Sequence, residues 1–215
     1  MKAFVLAEHS DAALSLCAGA RTIADEVVLV AIADFEVSGG CADKIVHIAL
    51  PEGAVYDDAA ETVISVFDAE GCEVVLVEPT RRMKSIAGKL AAHAGSSVIT
   101  DVVSLTEEGA RSLYFGGVGE RVVAIYTIGS DVFAGAEAAG ANAVEEVAWV
   151  APAHPLKLVA SKPVEKSGVD LFKAEAVVAA GRGFAEKEDL DLARALCDKI
   201  GAGLGCSRPL TEGVD

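Results

Sequence analysis

Apolar and polar residues alternate in blocks along this chain, and the blocks predict a regular succession of elements. Residues 2–7 form a short apolar run, and Leu14, Leu16, Cys17, Ala20 and Ile23 recur at helical spacing over 10–24, with Ser10 or Asp11 as the expected cap. Residues 26–32 are β-branched and apolar with an acid at their start, the pattern of a strand buried on both faces. A second such run, 44–50, stops at Pro51. Asp57 or Asp58 is expected to cap a helix reaching Ala69, which Gly71 closes. Residues 73–77 are the next strand, and an alanine-rich helix follows to Ala94 with Gly95 as its stop. Strand and helix alternate up to this point, which predicts right-handed crossovers and a doubly wound, mostly parallel α/β sheet.

The rhythm then changes. Residues 97–105, 111–115, 121–128, 144–150 and 156–161 read as strands with little helix between them, and we assign them to the far side of the sheet, antiparallel additions included. Pro152, Pro155 and Pro163 punctuate the exit, and 165–170 has the composition of a linker. The expected organisation is therefore a domain over 1–170 and a second one opening at 171. Within 171–215 a buried strand ends at Ala180, a Gly181-Arg182-Gly183 turn follows, a helix spans 187–200, and a glycine-rich strand delivers Ser207 and Arg208. This is the first βαβ unit of another α/β domain. Few residues follow Arg208, so the expectation is that only the opening of that domain is carried here.

Composition narrows the function classes. The 215 residues are 52% apolar but only 5% aromatic, which suits small-residue helices on a parallel sheet. Acidic residues number 33 against 18 basic ones, a net charge of −15, so a nucleic-acid partner is not expected. Five scattered cysteines without a C-x-x-C suit reduced thiols in the cytoplasm. The apolar run near Met1 meets Glu8 too soon for a signal peptide or a membrane span. His9, His47, His93 and His154 lack metal-ligand spacing, and no nucleophile signature is present, so neither a metal site nor a catalytic residue is expected.

Two features carry candidate chemistry. Gly181-Arg-Gly183 begins like a dinucleotide fingerprint, but the sixth position is Glu186. What remains is an arginine between glycines at a strand's carboxyl end, where main-chain N–H groups and a helix start favour an anion. Ser207 and Arg208 stand at the end of the next strand, where ligands of α/β sheets sit and where a guanidinium suits an anionic oxygen. Arg81, Arg82, Lys84 and Lys89 are the one basic cluster, at a helix start where a partner acid or an interface would have to hold them.

The stretches Val177-Val-Ala-Ala-Gly-Arg-Gly183, Glu188-Asp-Leu-Asp-Leu-Ala-Arg-Ala-Leu-Cys197 and Gly201-Ala-Gly-Leu-Gly-Cys-Ser-Arg-Pro209 together resemble the alpha subunit of electron transfer flavoproteins. Thr80-Arg-Arg82, Gly88-Lys-Leu-Ala-Ala-His93 and Tyr114-Phe-Gly-Gly117 stand in that family's order, and the Cys-Ser-Arg-Pro form is similar to bacterial members linked to acyl-CoA metabolism. The resemblance implies a heterodimer with a beta subunit and FAD carried in the second domain. Electrons would pass from acyl-CoA-type dehydrogenases to a further redox partner, which makes the protein a carrier rather than an enzyme. It further implies that Arg182 and Ser207 contact FAD and that the positive charge of Arg208 lies beside the isoalloxazine ring, favouring its anionic reduced form. The first domain would be an interface with beta and hold no nucleotide. That family's chain continues beyond Ser-Arg, so the 215 residues are expected not to hold FAD tightly by themselves. Two other readings stay open at this point: a nucleotide-binding module of the universal-stress type, and a flavin-free interaction subunit.

Overall fold

In the computed structural model, the apolar runs of the first half become strands whose alternate side chains feed two separate cores. The structure describes residues 1–33, 40–106, 109–112, 119–121, 125–133, 135–162, 174–184, 187–207 and 210. Within β1 (Lys2–Leu6) and β2 (Glu26–Ile32), Ala3, Val5, Val27 and Leu29 point to one side, while Phe4, Leu6, Val28 and Val30 point to the other. Helix α1 (Ser10–Arg21) covers the first side with Leu16 and Cys17. Helices α2 (Ala60–Glu70) and α3 (Arg81–His93) cover the second with Val63, Met83, Ile86 and Leu90. A strand with helices on both faces has no polar face to offer, which is why these runs lack alternation.

The chain separates into two compact units, Met1–Val159 and Ala160–Asp215. In the first unit β3 (Lys44–Ile48), β4 (Val74–Val77), β5 (Val98–Thr106), β6 (Gly109–Ser112), β7 (Gly119–Arg121), β8 (Ile125–Ile128) and β9 (Ala143–Glu146) complete one sheet. Its order is β7-β6-β5-β8-β4-β1-β2-β3-β9. The pairs from β9 through β3, β2, β1, β4 and β8 to β5 are parallel, and β6 and β7 add antiparallel at one end. The doubly wound, mostly parallel α/β fold is as the sequence predicts.

Several local expectations need correction. Neither Ser10 nor Asp11 caps α1; His9 occupies the cap, and the carboxylate of Glu78 takes the main-chain N–H groups of Glu8 and His9 instead. Asp57 and Asp58 lie inside a 3-10 turn, Tyr56–Ala59, that precedes α2. Buried Asp58 there accepts from Val55 N at 3.2 Å and from Leu156 N at 2.9 Å. Residues 156–161 are not a strand, and the first of them, Leu156, donates its N–H to that carboxylate. Strand β9 does not join the far side but pairs with β3 at the opposite edge.

That long passage from β8 to β9 is fixed by contacts no local pattern encodes. The Arg21 guanidinium donates to Ala139 O at 2.9 and 3.1 Å, and Asn142 Oδ1 accepts from Cys41 N and Ala42 N at 2.9 and 3.0 Å. A Cβ on Gly140 would lie 2.0 Å from Ala42 O, so only glycine permits this approach. At the amino ends of the central strands Lys2 Nζ joins Glu26 and Glu70 at 2.9 and 2.6 Å, and Lys44 Nζ joins Glu70 at 2.6 Å and also Glu145. The lone Lys in the first apolar run is thus part of a network that pins the sheet's lower rim.

Candidate functional site

In the second unit β10 (Val177–Ala180) and β11 (Gly203–Cys206) run parallel, joined through α4 (Leu190–Ile200) and a preceding 3-10 turn, Lys187–Asp189. Register runs from Val177 opposite Gly203 to Ala180 opposite Cys206, and Gly203 N and Ser207 N extend the ladder to Ala176 O and Ala180 O, each at 2.9 Å. Helix α4 ends at Gly201, whose φ of 68° is the left-handed conformation that favours glycine.

This pairing brings the candidate motifs together. Ala180 leads into the Gly181–Gly183 turn, closed by Phe184 N donating to Gly181 O at 3.1 Å. A Cβ placed on Gly181 would stand 4.0 Å from Ser207 Oγ, so the turn after β10 and the end of β11 are immediate neighbours. Arg182 and Ser207 are both exposed on this rim. Arg208 and Pro209 lie outside the described residues, as do 113–118 with Tyr114-Phe-Gly-Gly117 and 163–173 with the expected linker and domain boundary.

The glycines of the turn are not required by the fold. Neither Gly181 nor Gly183 has a positive φ, and a Cβ on Gly183 would meet nothing within 4 Å. Side chains at both positions would fit the chain itself. The start of α4 adds no anion site of its own. Glu188, Asp189 and Asp191 crowd it, so the helix dipole is already met by carboxylates, and Arg182 is an exposed cation in the adjoining turn.

In the first unit strand order reverses at β1, with β2 on one side and β4 on the other, and the carboxyl ends of β1 and β4 meet at Glu8, His9 and Glu78. Glu78 is buried; its Oε2 accepts from Glu8 N at 2.6 Å and from His9 N at 3.1 Å, and its Oε1 lies 2.6 Å from His9 Nδ1. That hydrogen bond raises the His9 pKa above 6.5. Of the basic cluster, Arg82 pairs with Glu8 and lies 4.7 Å above the Tyr56 ring, and Lys89 Nζ donates to Asp57 O at 2.9 Å. The sequence reading missed Glu78; its signal was an acid standing directly after an apolar strand, before Pro79 and the capping Thr80.

Among the described residues no group of three or more His, Cys, Asp or Glu is arranged to hold a metal ion, and no helix is long and apolar enough to cross a membrane.

Comparison with known proteins covers both units. The electron transfer flavoprotein domain matches residues 3–154, and the electron transfer flavoprotein FAD-binding domain matches residues 170–214. Protein FixB of Escherichia coli O127:H6 is 33% identical over 175 residues, covering 75% of this chain and 56% of the relative. Protein FixB of Salmonella typhimurium strain LT2 is 32% identical over 215 residues, covering 92% of this chain and 68% of the relative. The chain thus spans between 56% and 68% of the length of these relatives. A match over both units, together with relatives aligned across most of the sequence, means that this chain belongs to the electron transfer flavoprotein family, as an alpha-type member.

Proposed function

We propose that the chain serves as the alpha subunit of an electron transfer flavoprotein, an electron carrier rather than a substrate-transforming enzyme. It pairs with a beta subunit, works in the cytoplasm, and passes electrons from acyl-CoA-type dehydrogenases to a further redox partner. The observation that carries this reading is the meeting of the Gly181–Gly183 turn with Ser207 on one rim of a parallel strand pair, in the part of the chain that matches the family's FAD-binding domain.

FAD, when bound, supplies the reversible acceptance of electrons. The protein's share is to bind and to tune. Main-chain groups of the glycine turn offer an approach free of side chains, Arg182 brings a fixed positive charge for an anionic oxygen, and Ser207 offers a hydroxyl beside it. Arg208 follows Ser207 directly and is assigned the position by the ring, where a cation stabilises negative charge that develops on reduction. The N-terminal domain, which the sequence places at residues 1–170, supplies the surface for beta.

The test is gel filtration of the chain mixed with a beta-type subunit and loaded with FAD. Comigration of the two chains with a flavin band is expected. Failure to associate with any beta-type subunit would overturn the pairing, and an assembled complex without a flavin band would overturn the FAD reading.

A further inference from the structure

Helix α1 faces the run that leads into β3 through two matched pairs of side chains. One pair is ionic, with Arg21 Nη2 at 2.7 Å from Asp43 Oδ2. Cys17 stands one helical turn before Arg21, and Cys41 stands two residues before Asp43, so the ion pair sets the two thiols against each other. Both cysteines are fully buried in the same core, and the Cys17 thiol donates a hydrogen bond to the Cys41 sulfur. Cys41 is fixed in turn by Asn142, whose Oδ1 accepts from Cys41 N at 2.9 Å and from Cys41 Sγ at 3.5 Å.

Buried thiols are ordinarily inert, because burial disfavours the thiolate and blocks access. Cys41 departs from that rule on both counts. The hydrogen bond from Cys17 holds it below an ordinary thiol against the opposing effect of burial, with the Ala42 N–H and the Arg21 charge adding to the lowering, whereas that same bond and burial push Cys17 up. An open pocket of about 510 Å³ is lined by Gly40, next to Cys41, and by Leu14, one turn before Cys17, so a small reagent can come close to both. Cys72 lies in the other core, Cys197 on α4 and Cys206 exposed on β11, so none of them shares this arrangement.

We propose that Cys17 and Cys41 form a redox-active dithiol that a hydroperoxide converts reversibly into a disulfide, tying α1 to the run before β3. The Cys41 thiolate attacks one peroxide oxygen and the O–O bond breaks, leaving a sulfenic acid; for hydrogen peroxide, the released hydroxide takes the proton that Cys41 gave up and becomes water. Cys17 then attacks the Cys41 sulfur, the S–O bond breaks, and hydroxide leaves with the Cys17 proton as a second water. The two sulfurs lose two electrons and the peroxide gains them. A dithiol reductant reverses the change, and the claim is independent of the flavin reading of the second unit.

The test treats the full chain with hydrogen peroxide, alkylates the remaining thiols and cleaves with trypsin without reduction. Cleavage after Arg21 puts the two cysteines on separate peptides, 3–21 and 22–44, which should appear as one linked pair that dithiothreitol resolves. In Cys17→Ser the Cys41 sulfenic acid has no thiol to meet, and dimedone should trap it at least ~10-fold more than in the wild type. In Cys41→Ser the nucleophile is gone, and Cys17 should stay unmodified. The wild-type peptide map decides the matter even where a variant does not fold. A linked pair in the folded wild type supports the proposal. Its absence there, its formation only in urea, or oxidation confined to Cys206 overturns it, and equal trapping at Cys17 and Cys41 in the two variants overturns the assigned order of attack.

Discussion

Helices α3 and α4 have the same kind of sequence, apolar residues at helical spacing with charges between them, yet they end in different surroundings. Met83, Ile86, Ala87 and Leu90 of α3 all sink into the core beneath β4 and β8. Of α4 only Ala193 and Cys197 are buried, while Leu192, Leu196 and Ile200 stand 79%, 48% and 56% exposed. The difference lies in the sheet beneath. Nine strands give α3 a wide apolar floor, whereas two strands rich in glycine and alanine give α4 a narrow one. Amphipathic spacing sets which side of a helix wants cover, and the number of strands sets how much of that side receives it.

The largest effect that could break this contrast comes from truncating side chains in both units. Leu76 on β4 is fully buried, and Leu76→Ala should cost about 2–5 kcal/mol in denaturant unfolding, since it removes packing and leaves a cavity. Leu192→Ala should change the same measurement by less than about 0.5 kcal/mol, as for other exposed positions. Equal losses would mean that α4 is covered as fully as α3.

A smaller effect sharpens the picture of the first core. Thr127 on β8 is fully buried, and its hydroxyl has no hydrogen-bond partner among the described residues. Thr127→Val replaces an unpaired polar atom with a methyl group of similar size and should raise stability by about 1 kcal/mol. A loss of stability on this change would reveal a partner for the hydroxyl.

The smallest effect concerns pH. The Glu78 hydrogen bond raises His9 above its ordinary pKa, against partial opposition from burial and from Arg82. A group whose pKa is raised by folding stabilises the fold below its unfolded value, and that contribution fades as pH climbs through the raised one. The unfolding midpoint should therefore fall as pH climbs above the ordinary histidine value, and His9→Gln should flatten that part of the profile. An unchanged slope in the variant would remove His9 from the account.

The fold of the first half was legible because each of its runs has one periodicity and one set of stops: Gly71 and Gly95, with φ of 62° each, end α2 and α3's turn as their positions suggest. What the pattern could not convey was the path of residues 129–156. Strand β9 crosses to the edge beside β3 because Arg21 holds Ala139 and Asn142 holds residues 41 and 42, contacts 118 positions apart for the first pair and 100 and 101 for the second. The approach to α1 is likewise held from a distance, since Glu78 takes the N–H groups of Glu8 and His9 just before the helix.

At the candidate site the residue types were legible and the surroundings were not. Gly181, Arg182, Gly183 and Ser207 stood out as glycine, cation and hydroxyl at strand ends, and parallel pairing of β10 with β11 brings the turn and the serine together. The acids at the start of α4 were visible in the sequence, but only the fold shows that they stand in the first turn, where they meet the helix dipole.

The central claim, that this rim contacts FAD in an alpha-type subunit, is tested most directly by titrating FAD into the chain assembled with a beta-type partner and following flavin fluorescence. The account predicts saturable binding that the double change Arg182→Ala, Ser207→Ala weakens ~10-fold or more, in keeping with the loss of a charge-assisted and a neutral hydrogen bond. Equal affinity of the wild type and the double variant, with both assemblies intact, would contradict it.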